Sequence, residues 1–106
     1  MLAFYKQSEN FLLNLADSIE AQDTDSVFDI EYSDGILTIL IHATDQEYVI
    51  NRHSANQKIW YSSPLSGADY FYFDVVARKW LNAKGEELHD KLFTELATFG
   101  VALRIL

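Results

Sequence analysis

Between residues 4 and 22 the apolar positions recur at close to helical spacing. Phe4, Phe11, Leu12, Leu15 and Ile19 would share one buried stripe, and Asp17 and Glu20, three apart, fall on the polar side. Residues 21–26 are polar and should be a loop. From residue 27 to 32 the period drops to two, with Phe28, Ile30 and Tyr32 on one face and Val27, Asp29 and Glu31 on the other. Asp34-Gly35 then marks a hairpin, because a type I′ turn needs positive φ at both central residues. Residues 36–42 form the partner strand, Leu37, Ile39 and Ile41 alternating with Thr38, Leu40 and His42. Further strands are predicted over 47–52, 58–62, 70–75 and, briefly, 79–82. Turns lie at 43–46 and 83–85, and a loop, Ser63-Pro64-Leu65-Ser66-Gly67, separates the fourth and fifth strands. Residues 86–99 return to helical spacing through Leu88, Leu92, Leu96 and Phe99. Glu86 and Glu87 suit the positive end of that helix dipole, and Gly100 suits its stop. The apolar tail 101–106 should pack.

Helix, about six strands, helix, with short connections throughout, predicts an α+β fold. It is a two-layer α/β sandwich, an antiparallel sheet with the N- and C-terminal helices packed on one face and the other face open to solvent. No repeat, low-complexity tract or linker interrupts the chain, so residues 1–106 read as a single domain. Its 106 residues suffice for one core. Hydrophobic residues make up 49% and aromatics 14%, which excludes wholesale disorder. Apolar runs such as Ile39-Leu40-Ile41 are too short to span a bilayer. Lys6 and Glu9 near the start fit neither a secretory signal nor an Arg-rich transit peptide. Without cysteine there is no disulfide, thiolate ligand or cysteine nucleophile, a composition compatible with a cytoplasmic setting.

Charge adds the first functional signal. The chain is −8 overall, which disfavours a nucleic-acid partner. Residues 1–34 carry eight acids against one base, so nearly all of the net charge sits in the first third. Asp29 and Glu31, two apart on a strand, should lie roughly 6–7 Å apart on one face. At that distance they repel by about 0.6 kcal/mol in water, and by more where the dielectric is lower. A first helix packed beside this strand would add Asp17, Glu20, Asp23 and Asp25, giving a self-repelling ridge that a cation would relieve. Such exposed oxygen ligands suit hard ions (calcium, magnesium, manganese, iron), bound weakly and exchanging quickly. Asp23-x-Asp25 is not an EF-hand start, because Phe28 stands where that loop needs glycine. His42, His53 and His89 have no metal-ligand spacing and read as surface or packing residues, His42 being the one near the ridge. No G-x-S-x-G, phosphate loop or dinucleotide fingerprint is present.

Trp60 alternates with Ile59 and Tyr61. If those two are core, Trp60 lies on the open sheet face with Asn51; a bare tryptophan there suits a protein interface, and one half covered by its neighbours would be structural only. Trp80 reads as a packing residue.

These residues also resemble a known family. Asn51-Arg52, the run Asn56-Gln57-Lys58-Ile59-Trp60-Tyr61-Ser62-Ser63-Pro64-Leu65-Ser66-Gly67, Trp80 and Gly85-Glu86-Glu87-Leu88-His89 resemble the frataxin family. The likeness covers essentially the whole chain. The short length and missing extension fit the bacterial, CyaY-like branch, while the Ser-Ser-Pro-Leu-Ser-Gly loop is closer to the mitochondrial form. The resemblance implies a non-enzymatic protein that binds iron, Fe2+ or Fe3+, weakly at an acidic ridge, with other divalent cations able to substitute. It implies a role in iron–sulfur cluster assembly, as regulator of cysteine desulfurase or iron donor, with the desulfurase and the scaffold protein as partners. Carried over residue by residue, the ridge is Asp17, Glu20, Asp23, Asp25, Asp29 and Glu31, and the partner surface is Asn51, Arg52, Gln57 and Trp60. Ala16, Ala21 and Val27 stand where relatives often carry acids, so the ridge is thinner here. A monomer is expected, with oligomers where iron drives assembly. The competing expectations are ferroxidase or iron-storage activity, and an acidic interaction domain with no metal role.

Overall fold

The computed structural model describes residues 2–105. The elements in chain order are α1 (Leu2–Gln22), β1 (Phe28–Ser33), β2 (Ile36–Ile41), β3 (Gln46–His53), a 3-10 turn (Ser54–Asn56), β4 (Lys58–Ser63), β5 (Gly67–Asp74), β6 (Lys79–Leu81) and α2 (Leu88–Ala97). The six strands lie in the sheet in chain order and every neighbouring pair is antiparallel. Period-two alternation therefore sorts their side chains cleanly onto two faces.

One face is the core. Leu37, Ile39, Ile41, Tyr48, Ile50, Ile59, Tyr61 and Phe71 are fully buried, against Leu12, Leu15 and Ile19 of α1 and Leu88, Leu92 and Leu96 of α2. Trp80 packs as expected, 3% exposed, with edge or tilted contacts to Phe4, Phe11 and Phe73. The α1 stripe also takes in Ser8 and Ala16. Ser8 tolerates burial because its hydroxyl donates to the Tyr5 carbonyl at 3.1 Å. Ala16 faces the core, so an acid there would be buried instead of enlarging the ridge.

The β1–β2 turn has Asp34 at φ 50° and Gly35 at φ 80°, as its sequence predicts. Glycine is needed for a second reason: a Cβ at 35 would lie 2.7 Å from Arg52 Nη2.

Three of the boundaries that differ from the sequence reading have a clear local course. β5 begins at Gly67, three residues early, because Ser63 closes a tight turn. Its Oγ accepts from the Leu65 and Ser66 amides, and the chain re-enters the ladder with Ser63 opposite Gly67. α2 begins at Leu88, not at residue 86. Glu87 is extended (φ −95°, ψ 140°) and caps the helix, its carboxylate accepting from the His89 and Asp90 amides. α2 also ends at Ala97, with Thr98 to Gly100 in turns and Gly100 at φ 93°. In the tail Val101 is buried and Leu103 half-buried. The Gln22 amide holds the Arg104 backbone through two 2.8 Å bonds. Leu106 lies outside the described residues. None of the described helices is long and apolar enough to cross a membrane.

Candidate metal and partner surfaces

α1 packs against β1, which brings helix acids beside strand acids as the ridge requires. Asp17, Glu20, Asp25, Asp29 and Glu31 are all exposed. Glu20, Asp29 and Glu31 share a shallow groove of about 450 Å³, with Asp23 and Ser26 in its wall. Asp17 and Asp25 stand outside that groove. His42 does reach the ridge, its Nε2 lying 3.3 Å from Asp29 Oδ1, with both side chains well exposed.

Asp23 does not belong with the open acids. It is buried, and both its oxygens are committed: Oδ1 accepts from the Val27 amide at 2.9 Å and Oδ2 from the Phe28 amide at 2.8 Å. Asp23 is the brace that turns the chain from α1 into β1. Sequence alone shows it as one more acid in an acidic stretch, because amide partners four and five residues on leave no compositional mark.

Among the described residues no three His, Asp or Glu side chains converge closely enough to encage a metal ion. The donor set is carboxylate oxygen on an open surface. It fits a hard cation held loosely and still largely hydrated, not a resident structural metal.

On the open sheet face Asn51, Trp60 and Tyr70 pair across β3, β4 and β5 in one row. Trp60 is half-buried instead of bare, because the Tyr70 ring meets it edge-on at 5.0 Å. Asn51 is half-buried beside it, its amide donating to the Arg52 carbonyl at 3.2 Å. Gln57 follows the 3-10 turn at φ 52°, exposed, with its backbone N–H donating to the Ser54 carbonyl. Arg52 is the clear correction. Two residues on from Ile50, it falls on the core face, and its side chain is only 7% exposed. Its guanidinium lies 4.0 Å over the Tyr5 ring and 3.3 Å from Glu9, which also accepts from the Tyr32 hydroxyl. Arg52 thus ties α1 to the β1–β2 hairpin. The bond from Tyr32 holds Glu9 below its usual carboxylate range, and desolvation with the Glu9 bond pushes Tyr32 up to about 12.

Sequence reading missed Tyr70 and Tyr72, which widen the accessible aromatic face, and Lys58, which with Trp60 and both tyrosines lines a cleft of about 490 Å³. Their alternation about the buried Phe71 was the available signal. It also missed Glu95 on α2. Burial raises the pKa of that carboxyl, but bonds from Ser63 (2.5 Å), Ser66 (2.7 Å) and Tyr48 (2.9 Å), with Lys91 nearby, outweigh burial and hold it below the usual range. Part of the Ser-Ser-Pro-Leu-Ser-Gly motif therefore serves to dock a loop onto a helix.

The geometry defines a two-layer α/β sandwich whose accessible chemistry lies on an acidic edge and a flat aromatic face. A family profile described as a frataxin-like domain matches residues 2–100, and the chain belongs to that family. It is 42% identical over 72 residues to the mitochondrial frataxin of Dictyostelium discoideum. Against the mitochondrial frataxin homolog of Saccharomyces cerevisiae it is 34% identical over 97 residues. These matches cover 67% and 88% of this chain but only 37% and 54% of those proteins. A crystal structure of the trimeric yeast protein complexed with ferrous iron superposes with a TM-score of 0.73, at 34% identity, over 88% of this chain and 84% of that one. The frataxin of Psychromonas ingrahamii, of the CyaY family, has a TM-score of 0.81 over 95% of this chain and 92% of that one. At 16% identity it speaks for the fold alone.

Proposed function

We propose that this chain is a single frataxin-like domain that binds iron at its acidic edge and works in iron–sulfur cluster assembly, docking to the cysteine desulfurase and scaffold protein. The observation that carries this reading is the pairing of two accessible surfaces on a frataxin fold. One is the carboxylate edge of Glu20, Asp29 and Glu31, flanked by Asp17 and Asp25. The other is the Asn51–Trp60 face beside it. The edge would attract a basic patch on the desulfurase and set the approach. The half-buried tryptophan would supply the specific contact. The ferrous iron named for the yeast structure supports iron as the cargo, and its trimeric state supports oligomers formed by an otherwise monomeric chain. Open carboxylates, with no cage among the described residues, favour an adaptor or donor over a ferroxidase, which would need metal ions held close together; oxygen uptake that turns over ferrous iron catalytically would reverse that assignment. A cytoplasmic setting agrees with the lack of cysteine. The higher identities to mitochondrial relatives speak against the bacterial, CyaY-like branch.

The test is affinity for purified cysteine desulfurase at low and moderate salt. Binding should weaken with salt and fall at least tenfold in an Asp29→Lys, Glu31→Lys variant. Undiminished binding by that folded variant would remove the acidic edge from the docking surface.

A further inference from the structure

At the end of the sandwich away from the ridge, a cleft of about 410 Å³ opens between α1, the β5–β6 hairpin and the start of α2. Its walls include Phe11, Phe73 and Trp80, whose rings already contact one another at centroid distances of 5.6 and 5.4 Å. Two cations, Arg78 and Lys79, stand at its rim, both exposed. Among the described residues neither forms an ion pair, although the chain carries 16 acids. Arg78 is held in place by its backbone: it sits at φ 57° with its amide donating to the Asp74 carbonyl at 2.7 Å.

His89 lines the cleft with Gln7, Glu87 and Asp90, and its neutral tautomer is fixed by its partner. His89 Nδ1 lies 2.9 Å from Glu87 Oε2. Glu87 is held ionised: burial raises its pKa, but bonds from the His89 ring and the His89 and Asp90 amides win and lower it. An ionised carboxylate only accepts, so Nδ1 carries the hydrogen, and in the neutral imidazole Nε2 is left as an acceptor. Glu87 is fully used by the helix cap and by His89, so Asp90 is the one uncommitted acid in the lining. Its charge disfavours a ligand with two anionic groups.

We propose that this cleft is a binding site for a planar aromatic ring that carries one carboxylate and, at its opposite end, a hydrogen-bond donor. The ring packs against Phe11, Phe73 and Trp80, the carboxylate meets Arg78 and Lys79, and the donor meets His89 Nε2. Aromatic walls with a few converging polar groups, at this volume, are the usual make-up of a small-molecule site. The site is separate from both the acidic edge and the Asn51–Trp60 face, and stands whether or not the iron–sulfur reading does.

The probe is the hydroxynaphthoate whose hydroxyl and carboxylate lie at opposite ends of the fused rings, titrated into the isotope-labelled native chain. Amide shifts should saturate below about 1 mM and centre on residues 73, 78–80 and 87–90, leaving the Trp60 indole unmoved. Arg78→Gln with Lys79→Gln, both exposed positions, should weaken binding at least tenfold, on the order expected for losing a charge-assisted bond. The parent naphthoate, lacking the hydroxyl, should bind several-fold more weakly. Shifts that never saturate, shifts centred on Trp60 and Tyr70, or an affinity untouched by the double variant would each overturn the assignment.

Discussion

Asp23 and Asp29 are both acids of the first third, one on each side of the turn from α1 into β1. The first is buried with both oxygens taken by backbone amides; the second faces water, with His42 3.3 Å away. The same contrast divides the whole molecule. On the core side, Arg52, Glu95 and Asp23 are committed to holding helix, loop and strand together. On the open side, Asp29, Glu31 and Trp60 are positioned by the same sheet, yet keep accessible surface. Polar residues of one chemical type thus serve fold or function according to the partners that tertiary structure gives them. The committed groups cannot be removed cheaply, whereas the open ones can.

The two tryptophans test this division most strongly. Trp80→Ala should cost about 3–5 kcal/mol in chemical denaturation, because it empties a packed aromatic cluster. Trp60→Ala should cost about 1 kcal/mol or less, while desulfurase affinity drops. Equal losses of stability would erase the distinction between the faces.

The two aspartates come next. Asp23→Ala leaves the part-buried Val27 amide and the buried Phe28 amide without acceptors and should destabilise by about 1–3 kcal/mol. Asp29→Ala should fall within about 0.5 kcal/mol of the native chain, or stabilise it by relieving repulsion. A neutral Asp23→Ala would show that the brace is dispensable.

Acid sensitivity sharpens the picture on the core side. The folded pKa of Glu95 lies below its unfolded value near 4.5. Its stabilisation is therefore present above that value and lost as pH falls through the lower folded one. Glu95→Gln should flatten this part of the decline in stability below about pH 5, by about 1 kcal/mol. An unchanged acid profile would remove Glu95 from the account. The smallest effect belongs to the edge: raising salt from low to physiological strength should raise the melting temperature by about 1–3 °C through screening of the ridge. A flat response would mean the exposed acids barely interact.

Much of this was legible in the sequence because periodicity reports burial directly. The α1 stripe, the Asp34-Gly35 hairpin and the faces of β2 to β4 all follow from spacing, whereas Trp80 could have gone either way. What spacing hid were polar side chains turned inward. Arg52 stands in phase with Tyr48 and Ile50, so its burial was implied by the alternation; only the family resemblance had put it on the partner surface. Glu87 reads as a first-turn helix acid and is instead the cap. Asp23, Ser63 and Glu95 find partners through turns and tertiary contacts that residue type does not encode. The open acids were easier, because an exposed carboxylate needs no partner to be found.

The most direct test of the central claim is ferrous iron affinity, measured by anaerobic calorimetry on two variants verified as folded by circular dichroism. Asp29→Asn with Glu31→Gln should lose iron affinity by several-fold or more, whereas Asp23→Asn should keep it. Iron binding abolished by Asp23→Asn and untouched by the edge pair would contradict the assignment of the open edge as the metal surface.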